Sequence, residues 1–243
     1  KPAYFRTGKK KMKFIKILLV SYLLVFSVSV YAQNDEDWVS ETYETGHFTR
    51  INLEGGFKVF LVQGEVCELT VRATDNDIFD EMEVKNYQGT LEVEVDRKPF
   101  DFDRVNLYIT FKTLQDLKIK GGIKLKTRGY LDLNDLRVKV EGGAKIELEL
   151  KAEDVDIISE GGVLFEIQGV AESLNVAVSG AGHVDAEELK AKNVNFRIEG
   201  VGTGNVYATE TLDAKIEGVG KVKYRGNPKV NRSIDGIGSV SRD

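Results

Sequence analysis

The stretch LDAKIEGVGKVKY, residues 212–224, alternates apolar and polar positions on both sides of a glycine pair. Leu212, Ala214 and Ile216 lead into Gly218 and Gly220; Val222 and Tyr224 follow in the same phase. A period of two belongs to a β-strand with one buried face. The same unit recurs as LKIKGGIKLK (117–126), LRVKVEGGAKIELEL (136–150), VDIISEGGVLFEI (155–167), LNVAVSGAGHVDA (174–186), VNFRIEGVGTGNVYA (194–208) and VNRSIDGIGSV (230–240). Its first glycine falls at Gly121, Gly142, Gly161, Gly180, Gly200, Gly218 and Gly236, at intervals of 18 to 21 residues. One supersecondary unit repeated at that spacing, with no helical period in any copy, predicts an all-β protein: a β-helix-like solenoid of about seven glycine-cornered rungs. Successive corners would then stack about 4.8 Å apart, with positive φ and no room for a Cβ, so glycine recurs in a column. A phosphate-binding loop is excluded, because its glycines must open a helix and are often followed by Lys-Ser/Thr.

Residues 48–116 are β-rich without the repeat and are expected to form a cap on the 117–243 solenoid. Phe48–Leu53 and Phe57–Gln63 read as a hairpin about Gly55-Gly56, and Glu68–Ala73, Thr90–Val95 and Val105–Phe111 as strands. Asn76–Met82 reads as one helical turn and Gln88-Gly89 as a turn. A solenoid exposes a raw backbone edge at each end. The N-terminal strands would cover one; after Val240 there is no comparable cover, so either a homo-oligomer forms through that end or the charged Ser241-Arg242-Asp243 blunts it.

These motifs together resemble the "putative auto-transporter adhesin, head GIN domain" family of exported bacterial proteins. The resemblance rests on the serial Gly-x-Gly turns, Tyr224-x-Gly226-x-Pro228, Phe48-Thr-Arg-Ile51, and Gly56-Phe57-x-Val59-x-Leu61-x-Gln63-Gly64. It runs over about residues 48–240 and implies a β-helix-like all-β fold outside the cytoplasm, with no established catalytic residues. The chain departs from the family at the residue before the glycine, often Ser in other members, which here is Ser only at Ser179.

Lys9, Lys10, Lys11, Lys13 and Lys16, the apolar run Ile17–Val30, and Val30-Tyr31-Ala32 read as a signal peptide over residues 1–32. The run is shorter than the roughly 20 residues a membrane span needs, and no Cys adjoins the cleavage site, which disfavours a lipid anchor. Residues 33–47 read as a disordered linker. Removing the seven basic residues before Gln33 leaves about 27 Lys and Arg against 39 Asp and Glu, a net charge near −12. Such a surface repels phosphate backbones and argues against a nucleic-acid partner. The single Cys67 lies in an alternating stretch and reads as a buried, inert thiol.

Stacked in register, Glu141, Glu160, Glu199, Glu217 and Asp235 would form an acidic column. Carboxylates that close raise each other's pKa unless a cation lies between them, and Ca²⁺ takes oxygen-only ligands. The plainer reading is solvated turn charge offset by Lys145 and Lys221. No other metal or cofactor is expected. Of the two histidines, His183 occupies the slot held by Lys124, Lys145 and Lys221 and reads as a surface substitute, and no cluster has zinc spacing. Phe196 and Tyr224 read as core, Tyr130, Tyr207 and Phe165 are open between core and surface, and Phe100 and Phe102 lie in an aromatic 96–104 loop. The expected function is non-enzymatic: an exported, adhesin-like protein, periplasmic, outer-membrane-associated or secreted, that presents a regular face to a glycan or surface protein. A carbohydrate-active lyase or hydrolase, or a purely structural envelope module, is the alternative.

Overall fold

The structure is a computed structural model and describes residues 38–95 and 104–243. Residues 1–37, which hold the signal-peptide reading and the start of the linker, and the Phe100 and Phe102 loop lie outside the described residues. The unit Trp38–Asp243 is all-β. Its strands are β1 (Val39–Glu44), β2 (Arg50–Gln63), β3 (Glu68–Ala73), β4 (Met82–Tyr87), β5 (Thr90–Val95), β6 (Val105–Phe111), β7 (Asp116–Thr127), β8 (Leu131–Asp132), β9 (Asp135–Arg225) and β10 (Lys229–Arg242). A single turn of helix, α1 (Asp77–Asp80), sits between β3 and β4. The strands form one mixed sheet in the order β1-β3-β6-β2-β7-β9-β10, with β4 and β5 joined through β2 and β8 through β9.

Parallel pairing in identical phase builds the core. Leu117, Ile119 and Leu125 of β7 stand beside Val138, Val140 and Ile146 of β9, and Ile216 and Val222 beside Ile234 and Val240. Inward positions are therefore apolar columns, with Ile119, Val138, Val140, Ile146, Ile216 and Val222 at 1% exposure or less. A slip of one residue would turn each column to solvent, so the alternation itself specifies the register.

The glycines form a column too. Gly55 pairs with Gly121, Gly121 with Gly142, and Gly218 with Gly236; between them Gly161 lies on Gly142, Gly180 on Gly161, Gly200 on Gly180 and Gly218 on Gly200. A methyl group on Gly142 would lie 2.7 Å from the Gly121 carbonyl oxygen, and one on Gly180 the same distance from that of Gly161. Both also have positive φ, 122° and 124°, so backbone and space exclude a side chain together. A straight 91-residue strand would run about 300 Å, and the glycine contacts show the chain of β9 returning on itself.

Three expectations are corrected. Gly55-Gly56 does not turn a hairpin: β2 runs unbroken through it, and both halves pair parallel with β7. Gly55 has the close-approach role of the later first glycines, with positive φ and its carbonyl oxygen 2.5 Å from where a Cβ on Gly121 would lie, so the column begins at Gly55, inside the stretch read as non-repeating. The 33–47 linker holds β1, which pairs antiparallel with β3 from Val39↔Ala73 to Glu44↔Glu68; Tyr43 packs on the core from there, and short polar alternation hides such a strand. Cys67 is free but half-buried rather than buried. The strands β3, β5 and β6 and the α1 turn fall where the sequence placed them, and Gln88 and Gly89 both have positive φ.

Candidate functional site

Outward positions of the same strands carry the functional candidates. Phe60 lies between buried Val59 and Leu61, and Tyr108 between buried Leu107 and Ile109, so both rings point out of the core. The register pairs Phe60 with Tyr108 on one side and with Lys126 on the other. The rings stack with centroids 4.8 Å apart and planes at 13°. The Arg128 guanidinium carbon lies 4.4 Å from the Phe60 centroid and 4.7 Å from that of Tyr108, and the Lys126 ammonium 5.4 Å from Phe60. Cations over ring faces hold the pair in place while keeping donors at its surface. β7 is basic in an acidic chain, with Lys118, Lys120, Lys124 and Lys126, and Arg128 directly follows its end. Sequence reasoning weighed the aromatics of the repeats and of the 96–104 loop; the signal it passed over was the phase, two aromatic residues at the polar beat of an alternating strand.

The acidic column is drawn towards lysines of the neighbouring column. Glu141 pairs with Lys139 at 3.0 Å and Lys118 at 3.6 Å, and Lys139 also reaches Glu160 at 3.3 Å. Glu217 pairs with Lys215 at 2.7 Å, and Glu199 with Arg197 at 3.7 Å while accepting from Ser179 Oγ at 3.4 Å. The hydrogen bond from Lys139 lowers the Glu141 pKa against partial desolvation, helped by the charges of Lys118, Lys139 and Lys120; the Lys215 hydrogen bond does the same for Glu217. Asp235 stands in register beside Glu217. Among the described residues no three His, Cys, Asp or Glu side chains come together as a metal-binding group.

Phe165 and Phe196 are fully buried, Tyr224 packs against the core, and Tyr130 is exposed. His183 Nδ1 lies 2.6 Å from Thr203 Oγ1 on the surface, far in the sheet from Cys67. The structure thus gathers Phe60, Tyr108, Lys126 and Arg128, and leaves the histidines and the cysteine apart.

These features define an all-β protein of one large mixed sheet whose outward columns carry charged, polar and aromatic side chains. A family model described as "Putative auto-transporter adhesin, head GIN domain" matches residues 47–228, and the chain belongs to that family, as its motifs implied. Among solved structures it is similar to a "putative adhesin" from Bacteroides fragilis (TM-score 0.73, 24% identity) and a "putative lipid binding protein" from Parabacteroides distasonis (TM-score 0.67, 21% identity). A "putative adhesin" from Parabacteroides merdae is similar at TM-score 0.62 and 19% identity. Each comparison covers 86% of this chain and 98% of the other. At these identities the likeness shows a shared fold. No curated protein matches the chain.

Proposed function

We propose that the protein is a non-enzymatic, adhesin-like binding module of the cell envelope whose contact surface is the outward face around Phe60, Tyr108 and Arg128, and whose partner is an anionic glycan. The observation that carries this is the aromatic pair under two cations on a basic strand of an acidic protein. The guanidinium of Arg128 and the ammonium of Lys126 offer donors to a carboxylate or sulfate, and the stacked rings beneath hold those cations in place. The chain after residue 32 is near −12 in net charge even with this patch counted, so the surface outside it repels the same ligand and restricts it to this patch. Family membership and the adhesin descriptions of the structural neighbours support a binding role over a catalytic one.

The returning glycine column supports a coil architecture for residues 50–242, in which each turn of chain pairs with the one before. Such a scaffold holds its outward columns at fixed spacing and suits an extended repeating ligand. The signal-peptide reading supports export; no helix among the described residues is long and apolar enough to cross a membrane. The test is a glycan array that includes uronate-containing and sulfated chains. Binding to acidic members, lost with Phe60→Ala, Tyr108→Ala or Arg128→Ala, is expected. Equal binding by the Arg128→Ala variant, or preference for neutral glycans, would refute the site.

A further inference from the structure

The position after the first glycine changes size along the chain. It holds Gly122, Gly143 and Gly162, then Ala181, Val201, Val219 and Ile237. Register puts them in one line: Gly122 pairs with Gly143 and Val219 with Ile237, and the preceding glycines touch in succession between them. The first half is a trough. A Cβ on Gly162 would meet nothing within 4 Å, and one on Gly143 would reach only the Gly162 carbonyl oxygen at 4.0 Å. The second half is a ridge, with Val201, Val219 and Ile237 exposed by 59%, 48% and 75%. A depression of about 580 Å³ over the trough meets one of about 560 Å³ along the ridge at Ala181 and Gly182.

We propose that this face packs on a second copy of the chain, antiparallel, about a twofold axis between Gly162 and Ala181. Gly143 then receives the partner's Val201, Gly122 the partner's Val219, and Gly56, which pairs with Gly122, the partner's Ile237. The ridge rises outwards from the axis as the opposing trough stays empty, so one operation fits both halves, as an isologous contact requires. A lipid tail or an unrelated peptide would have no need for the size gradient to mirror itself. Rows about 4.8 Å apart also need an opposing surface of the same spacing, which a second copy has. Eight rows of that spacing span about 34 Å, and a face about 20 Å wide covers about 680 Å² per copy, close to the roughly 800 Å² of a standard interface. The contact is therefore a reversible dimer, and it leaves Phe60 and Tyr108, two outward positions away along the strand, free in each copy.

The test is sedimentation equilibrium of the purified chain over micromolar to millimolar concentration, with disulfide trapping in a Cys67→Ser background. Positions 143 and 201 lie three rows apart in one chain, about 14 Å and beyond disulfide reach. Gly143→Cys with Val201→Cys should link two chains, and Gly143→Cys with Ile237→Cys should not. Val219→Asp with Ile237→Asp alters exposed side chains only, and should weaken dimerisation at least tenfold with unchanged circular dichroism. Three results would overturn the proposal: a monomer at every concentration, self-linking of a Val219→Cys single variant, or a monomer that carries acyl lipid by native mass spectrometry.

Discussion

The guanidinium of Arg232 donates to the carbonyl oxygen of Val240 at 3.3 Å, folding a charged side chain across β10. Arg232 stands in register beside Ala214, a core position exposed by only 3%. The core column therefore stops at a cation, and β10, which has no strand on its outer side among the described residues, presents a charge where an apolar residue would invite another chain. Arg232→Leu is expected to increase self-association through this end, read as a rise in light scattering at constant concentration. Unchanged scattering would remove the protective role from Arg232.

Gly180 and Gly162 separate necessity from tolerance. Gly180→Ala meets positive φ and the Gly161 carbonyl at 2.7 Å and should cost about 2–4 kcal/mol in urea unfolding. Gly162→Ala enters open space and should change stability by less than about 0.5 kcal/mol. Similar losses at both positions would contradict the stacked column.

Ser159 stands in the inward column of Val140 and Val178, fully buried, and its Oγ has no hydrogen-bond partner. Ser159→Ala relieves that unpaired hydroxyl without enlarging the side chain. A gain of about 1 kcal/mol is expected by denaturant titration. Destabilisation would mean the hydroxyl has a partner in solution.

Lys139 and Glu141 couple stability to pH. The hydrogen bond to Glu141, then that to Glu160, raises the Lys139 pKa, and the same bond lowers that of Glu141. A depressed carboxylate adds stability that is present above its ordinary value near 4.5 and is lost as pH falls through the lower folded value. A raised ammonium adds stability present below about 10.5, lost as pH rises through the higher folded value. Lys139→Met should therefore flatten part of the acid limb of the urea midpoint and leave the profile between these limits unchanged in shape. Both groups are exposed, so the change is small. An unaltered acid limb would show that the pair is not formed.

Tyr43 gives a local probe of β1. Burial, and after it the hydrogen bond that its hydroxyl donates to Glu41 Oε2 at 2.8 Å, together raise its pKa to about 12. Spectrophotometric titration should find one tyrosine ionising later than the rest, moved earlier by Glu41→Gln. A uniform titration near 10 would place β1 off the sheet.

Much of the fold was legible because its period is written twice, in the alternation of residues such as Leu136, Val138 and Val140 and in the spacing of the glycines. Alternation gives strand and phase, and spacing gives the return of the chain. Gly55-Gly56 was misread because a glycine pair between two alternating runs has the same local signature in a hairpin and in a through-going strand; only the partner strand, β7, decides. The 39–44 strand was missed because its short, polar sequence, VSETYE, gains its place from β3 rather than from its own burial. At the candidate site, Phe60 and Tyr108 are 48 residues apart, and their stacking depends on β2 and β6 being neighbours, a pairing that no local pattern encodes. The carboxylate column was visible, but the lysines that claim it sit on the adjacent outward position, which matters only once the registers are known.

The parallel register of β2 with β7, and of β7 with β9, also bears on how the molecule assembles. β2 and β7 pair across 66 positions, but β7 pairs with β9 across 21 and β9 with β10 across 18, so beyond β7 each loop to be closed is short and costs little entropy. β2, once backed by β5 and β6, offers a finished hydrogen-bonding edge on which β7 can settle, and β7 then offers the same to β9. Growth from a seed in this direction matches the amino-to-carboxyl order in which a chain is synthesised, so the polypeptide can order itself progressively as it emerges.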